Sequence, residues 1–459
     1  MKNTWRFLMT AALLSTAALW RAPSCAASAV DELNSAAGSA SVTVPAATLK
    51  DASPSSSSTV LRASPSINIA GAVMLQGFHW DSFHTSPWWG VISQKAGDIS
   101  NAGFNMVWFP PSGQAASDQG YIPVQLYVQD SMYGTQAQLQ QAISDLHSRG
   151  VAVIGDMVLN HRVGSTSYAD FTNPTWGLDS ICSNSTWPGG QGQGAADTGM
   201  SVGYARDIDH TKTYVQQSLI QWMNWLRSTI GYDGWRYDFA LGYAGTYNKI
   251  YNDGTSPVFA VAEVWPSSFS AGDNSNRQAI CNWIDSTQGS SSAFDFTTKG
   301  LLQQAIEQSN YSIMKDSNGK PAGLIGWWPQ KAVTFVDNHD TGPSTGGDGG
   351  QNLWPFPSGE VMQGYAYILT HPGIPCVYWP HYFDWGSQMQ SEIKALIQYR
   401  KSHNITYTSN VQILAADNSR YAAQIDNSTL VKIGPGSWQP PDSSWKLTLS
   451  GQNYAVWSK

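Results

Sequence analysis

Eight short apolar runs with helical stripes between them limit what this 459-residue chain can fold into more than any other feature. They are AGAVMLQGF (70–78), FNMVWFP (104–110), VAVIGDMVLN (151–160), DGWRYDFA (233–240), VFAVAEVW (258–265), AFDF (293–296), AVTFVDNHD (332–340) and PCVYW (375–379). Between the second and third, Leu139, Ala142, Ile143 and Leu146 recur at helical spacing, with Thr135 placed to cap the start and Gly150 to stop the end. Before the fourth, Val215, Leu219, Trp222, Met223, Leu226 and Ile230 form a second stripe. Near-continuous apolar strands alternating with amphipathic helices are what a parallel sheet covered by helices needs, and eight repeats predict an α/β fold, a (β/α)8 TIM barrel.

In such barrels chemistry sits at the C-terminal strand ends, where loops vary without disturbing the core. Polar residues cluster there: Asp156, Asn160 and His161 close the third run, Arg236 and Asp238 the fourth, Glu263 the fifth, and Asp337, His339 and Asp340 the seventh. Side chains two apart on a strand share a face, so Arg236 and Asp238 project together. Glu263 has no charged neighbour in sequence, so its partner is expected on another strand.

The ends of the chain read differently. Lys2 and Arg6, an apolar run from Phe7 to Trp20 and the triplet Ala27-Ser28-Ala29 make a secretory signal pattern over 1–29, too short for a comfortable membrane span. Lipid attachment at Cys25 is a weaker reading. Residues 30–66, with SPSSSS, have the composition of a disordered linker or processed leader. Export is therefore expected, to the extracellular space or periplasm. Cleavage would leave Cys182, Cys281 and Cys376, enough for at most one disulfide. The barrel is expected over 67–385, with a Gly- and Ser-rich insertion at 161–209 after the third strand. A last helix and a small antiparallel β domain are expected over 386–459, where YAAQI, LVKIG, WKLTLS and YAVWSK alternate.

A formal charge of -7 provides no basic footprint, which argues against nucleic acid and against an anionic membrane surface as partners. The 21 tryptophans exceed what a core usually uses and suggest flat surfaces for a ligand to stack on.

Four segments, DMVLNH (156–161), GWRYDFALGY (234–243), AEVW (262–265) and FVDNHD (335–340), resemble in order and spacing the four signature segments of the α-amylase family of glycoside hydrolases. NHDTG followed by WPFPSGEVMQGYAYILTHPGIP looks like the plant-type members, while GGQNLW and VYW with DWG are similar to bacterial maltotetraose-forming amylases. The resemblance implies that Asp238 is the nucleophile, Glu263 the general acid and base, and Asp340 a third acid. It also implies that Arg236 keeps Asp238 ionised, that His161 and His339 hydrogen-bond the sugar, and that Tyr121 stacks beneath it. Trp265, just past Glu263, is the tryptophan favoured for stacking. The resemblance further implies one Ca2+ ion tying the insertion to the barrel through Asn160, Asp197, the Met200 carbonyl, Asp207 and the Gly242 carbonyl. Such mixed oxygen donors suit that ion.

The expected activity is endo-hydrolysis of α-1,4-glucosidic bonds in an α-glucan by a monomer. An exo-acting maltooligosaccharide former is the alternative. A carbohydrate-binding protein on an inactive barrel conflicts with the presence of all three carboxylates. A catalytic metal held by His161, His339 and the aspartates leaves Glu263 and Arg236 unexplained.

Overall fold

The computed structural model describes residues 64–164, 169–186, 192–266, 269–344 and 349–459. The signal pattern at 1–29, Cys25 and nearly all of the 30–66 segment lie outside the described residues.

Each of the eight runs overlaps one barrel strand, the sixth and eighth strands starting one residue before their runs: β1 (Met74–Gln76), β2 (Met106–Phe109), β3 (Ala152–Met157), β4 (Gly234–Tyr237), β5 (Ala260–Ala262), β6 (Ser292–Phe294), β7 (Ala332–Phe335) and β8 (Ile374–Tyr378). All neighbours pair in parallel, and Met74 of β1 sits opposite both Met106 of β2 and Cys376 of β8, which closes the ring. Every residue of these strands is buried, so both faces are covered, as a parallel sheet requires.

Among the described residues eight α-helices cover the barrel: α1 (Trp88–Ala102), α2 (Gln136–His147), α3 (Thr213–Trp225), α4 (Gly245–Thr255), α5 (Ser275–Ser286), α6 (Phe296–Glu307), α7 (Val361–Thr370) and α8 (Ser387–Ser402). At the start of α2, Thr135 accepts from the Gln138 backbone while the Gln138 side chain accepts from the Thr135 backbone, a complete capping box. The second predicted stripe runs through α3 and one wider turn, Leu226–Ile230, where Gly231 N donates to Leu226 O at 2.9 Å. That extra turn keeps Leu226 and Ile230 buried.

The sixth run departs from expectation. Its strand ends at Phe294, and Asp295 instead caps α6, accepting from Thr298 N at 2.8 Å. An aspartate competes well for orphan helix N–H groups, which is why it leaves the strand.

Between β3 and α3 the chain makes a long excursion, pinned by His161–Arg162 pairing antiparallel with Arg206–Asp207. After α8 come β9 (Val411–Ala416), β10 (Tyr421–Ile425), β11 (Thr429–Ile433), β12 (Lys446–Gly451) and β13 (Tyr454–Ser458), an antiparallel sheet in the order β9-β10-β11-β13-β12. It docks on the barrel helices through Tyr399 OH to Trp457 O at 3.0 Å and His371 Nε2 to Tyr421 OH at 2.9 Å. Cys182, Cys281 and Cys376 are buried as thiols, so the one disulfide the count allowed does not form. Among the described residues, no helix is long and apolar enough to cross a membrane.

Candidate active site

Seven strands deliver side chains to one point at the C-terminal end of the barrel. Gln76 comes from β1, Trp108 from β2, Asp156 from β3, Arg236 from β4 with Asp238 just after it, Glu263 just after β5, Phe294 from β6, and His339 with Asp340 from the turn after β7. Arg236 is fully buried and stands at the centre. Its Nη1 donates to Asp156 Oδ1 at 2.9 Å and to Asp238 Oδ1 at 2.8 Å, while Nη2 lies 2.8 Å from Glu263 Oε2 without hydrogen-bond alignment. The guanidinium also lies 4.8 Å above the Trp108 ring. This answers where Glu263 finds its partner: on the neighbouring strand.

The two carboxylates on Arg236 nearest the cleft are therefore held differently. A charge-assisted hydrogen bond fixes the orientation of Asp238, whereas Glu263 feels the cation mainly through charge and can exchange a proton more freely. Glu263 Oε2 also accepts from Phe239 N at 3.0 Å. Phe239 adopts left-handed backbone angles, φ 41° and ψ 52°, a strained state for an aromatic residue, and this turn places its N–H beside the carboxyl.

One cation serves four acids here. Burial is the main cause raising the pKa of Asp156, Asp238, Glu263 and Asp340, and mutual repulsion adds to it for Asp156, Glu263 and Asp340. Arg236 opposes the rise in each case without overcoming it. Asp156 is pushed up to about 7 although it accepts hydrogen bonds from Trp108 Nε1 at 3.0 Å and Tyr121 OH at 2.9 Å. Asp340 is pushed well above the carboxylate range. Arg236 was expected to secure ionisation of Asp238; it pulls in that direction, but burial is the larger influence. The side chains of Asp238, Glu263 and Asp340 keep 11%, 10% and 13% exposure, a narrow opening to solvent, while that of Asp156 keeps none.

The remaining predicted residues fall around this cluster. His339 Nδ1 accepts from Gln76 Nε2 at 2.9 Å, and its Nε2 lies 3.4 Å from Asp340 Oδ2. Tyr121 and Trp80 both lie nearly parallel to the His339 ring, at 5.2 Å and 6.1 Å, so three rings share one orientation beside the carboxylates. His161 is placed less openly. It is 1% exposed, and its Nε2 donates to the Tyr121 carbonyl at 2.8 Å, so here it braces the tyrosine. Trp265 is half-buried, stacked on Phe296 at 4.8 Å and nearly parallel to Trp354 at 6.4 Å.

Sequence reasoning left Trp80, Trp108, Gln351 and Lys299 without roles. An aromatic directly past a strand end was the available signal for Trp80. Gln351 stands in the GGQNLW segment singled out by resemblance, a signal that assigned it no role, and its Nε2 donates to Asp340 Oδ1.

The candidate metal ligands lie in a separate region. Asn160 Nδ2 is 3.3 Å from Asp207 Oδ1, and a Cβ on Gly242 would fall 2.1 Å from Asn160 Oδ1, so these three converge. Met200 N donates to Leu241 O at 2.9 Å and Ala244 N to Thr198 Oγ1 at 3.1 Å, which lays the 197–200 segment along the end of β4. Asp197 Oδ2 is buried with no hydrogen-bond partner. Among the described residues no three His, Cys, Asp or Glu side chains converge as a metal site, and the predicted set contains only two carboxylates.

Comparison with known proteins agrees with this geometry. Residues 402–458 match the family model described as the alpha-amylase C-terminal beta-sheet domain. Over 400 residues the chain is 41% identical to Probable alpha-amylase 2 of Arabidopsis thaliana, an alignment covering 84% of this chain and 94% of that one. It is 33% identical over 362 residues to Glucan 1,4-alpha-maltotetraohydrolase of Stutzerimonas stutzeri, covering 74% of this chain and 63% of the relative. The fold is shared with a solved alpha-amylase from Geobacillus thermoleovorans complexed with acarbose, at a TM-score of 0.63 and 16% identity over 86% of this chain and 99% of that one. With identity at this level over nearly the whole of the Arabidopsis protein, the chain belongs to the α-amylase family of glycoside hydrolases.

Proposed function

We propose that this glycosidase is an exported, retaining α-amylase that cuts α-1,4-glucosidic bonds within starch, glycogen and maltooligosaccharides. The observation that carries the reading is the fork of Arg236, which holds Asp238 by a hydrogen bond and Glu263 by charge alone. Two carboxyls on the terminal nitrogens of one guanidinium are kept close, in keeping with the separation of about 5 to 5.5 Å that retaining chemistry needs.

In the first step Asp238 attacks the sugar C1 and forms a glycosyl ester, while Glu263 gives its proton to the departing glycosidic oxygen. In the second, the Glu263 carboxylate takes a proton from water, the resulting hydroxyl attacks C1, and Asp238 leaves, so the α configuration is kept. The raised pKa of Glu263 lets it begin the cycle protonated. Asp340 binds sugar hydroxyls and, when ionised, supplies negative charge to the oxocarbenium-like transition state, and Tyr121 with Trp80 offers a flat face to the ring.

For calcium, the residues fit. Asp197 Oδ2 is a buried acceptor lacking a partner, and Asn160, Asp207 and Gly242 converge beside the segment that carries Asp197 and Met200. Asn160, Asp197, the Met200 carbonyl, Asp207 and the Gly242 carbonyl would hold Ca2+, whose charge would tie the insertion to the end of β4.

The test is a time course on soluble starch with iodine staining beside reducing-sugar release. Early loss of iodine colour with mixed oligosaccharides is expected. A single short product with persisting colour would establish exo attack instead, as the likeness to a maltotetraohydrolase allows.

A further inference from the structure

Asp340 is the one acid of the cluster that Arg236 does not touch. Nη1 of the guanidinium is shared by Asp156 and Asp238, and Nη2 faces Glu263. Asp340 shares a hydrogen bond with Glu263 at the end of β5 and lies in the field of Asp238 at the end of β4 and Asp156 in β3, with the Arg236 cation opposing them and His339 alongside. Tyr121 and Tyr204 also lie within its field.

A neutral donor also reaches it, from the loop after β7. Gln351 Nε2 donates to Asp340 Oδ1, and the loop that carries it is braced on both sides. Gly350 N donates to Asp81 Oδ2 at 2.8 Å, Leu353 N to Asp340 O at 2.9 Å, and Trp354 N to Thr341 O at 3.1 Å. Lys299 Nζ donates to Trp354 O at 2.7 Å from α6. Asn352 takes the left-handed turn between them, φ 52°, a state asparagine adopts more readily than most residues.

We propose that Gln351 is a positioning residue of the reaction, whose side-chain amide orients the Asp340 carboxyl in the cleft and favours its ionised form. It does for Asp340 with a neutral donor what Arg236 does for Asp156 and Asp238 with a cation. A neutral donor favours the ionised form through a hydrogen bond without adding a charge that would lower the pKa of Glu263. The inference rests on the role proposed above for Asp340.

Gln351→Met, Gln351→Glu and Asp340→Asn are compared with the parent enzyme on maltoheptaose, following kcat, KM, the pH profile and the thermal unfolding midpoint. For Gln351→Met, kcat is expected to fall about tenfold and the acidic limb of kcat/KM to move up by about one pH unit, with KM within about twofold of the parent. Gln351→Glu keeps the side-chain shape but donates only when protonated, so its activity should be confined to the acidic side of the parent optimum. This variant decides the matter if Gln351→Met unfolds early.

An inactive Asp340→Asn beside a Gln351→Met with parental kcat and parental acidic limb would overturn the inference. So would a rise in KM alone, which would make Gln351 a substrate-binding group. Full activity in Asp340→Asn would instead sink the role given to Asp340, a separate failure.

Discussion

Arg236 and Lys299 are both fully buried cations at the C-terminal end of one barrel, and their surroundings differ in a way that separates chemistry from bracing. Arg236 stands among four acids that together outnumber it, three of them open to the cleft. Lys299 pairs directly with Asp337, 3.6 Å away, with Glu307 farther off, and neither Lys299 nor Asp337 has any side-chain exposure. Asp337 is further satisfied by Thr341 Oγ1 at 2.9 Å and Phe356 N at 3.1 Å, while Lys299 sits 4.4 Å over the Trp354 ring. The balanced pair joins α6 to the loop that carries Gln351 and Trp354. The unbalanced cluster keeps protons on carboxyls near neutral pH. Excess negative charge is costly to fold, and a glycosidase needs it.

The largest contrast should come from neutralising one acid on each side. Glu263→Gln is expected to lose activity by about 10²- to 10⁴-fold. Its unfolding midpoint at pH 7 should nonetheless rise by about 2 °C or more, since relief of about 1 kcal/mol shifts a large domain by roughly that amount. The sign follows from the raised pKa: stability from this carboxyl is full below its usual value of 4.5 and is lost as pH climbs through the folded value. The gain in the variant should therefore fade below pH 4.5, where the parent carboxyl is protonated in both states. A fall in the midpoint at pH 7 would remove the distinction between the two cations.

Lys299→Met should behave in the opposite way. It strands Asp337 without its cation and is expected to cost about 3 to 5 kcal/mol in thermal or denaturant unfolding, with activity at low temperature affected far less than in Glu263→Gln. Adding Asp337→Asn should restore part of that stability, because removal of both charges leaves no ion unpaired. Failure of the second change to rescue the first would show that the pair is not the brace.

The smallest effect concerns the insertion. A chelator should lower the unfolding midpoint, and Asp207→Ala should make the protein insensitive to added Ca2+. An unchanged midpoint in the parent would remove calcium from the account.

Much of this arrangement was legible in the residues. The eight runs located the eight strands because a parallel barrel buries both faces, and Arg236, Asp238, Glu263 and Asp340 stood out as polar groups at apolar strand ends. Three features were not legible. Asp295 reads as a strand end, but its carboxylate goes to helix N–H groups, a choice that depends on where the chain turns. His161 reads as a ligand of the sugar, and its bond from Nε2 to the Tyr121 carbonyl, a contact between residues 40 apart, was not visible in the chain. Gln351 lies 11 residues beyond Asp340 in a stretch without periodicity, and only the folded loop brings its amide back.

The central claim is that Asp238 and Glu263 carry out a double displacement. Proton NMR of maltoheptaose during the first minutes of hydrolysis, before mutarotation, tests it most directly. The account predicts that the α-anomer of the new reducing end appears first; initial accumulation of the β-anomer would contradict it.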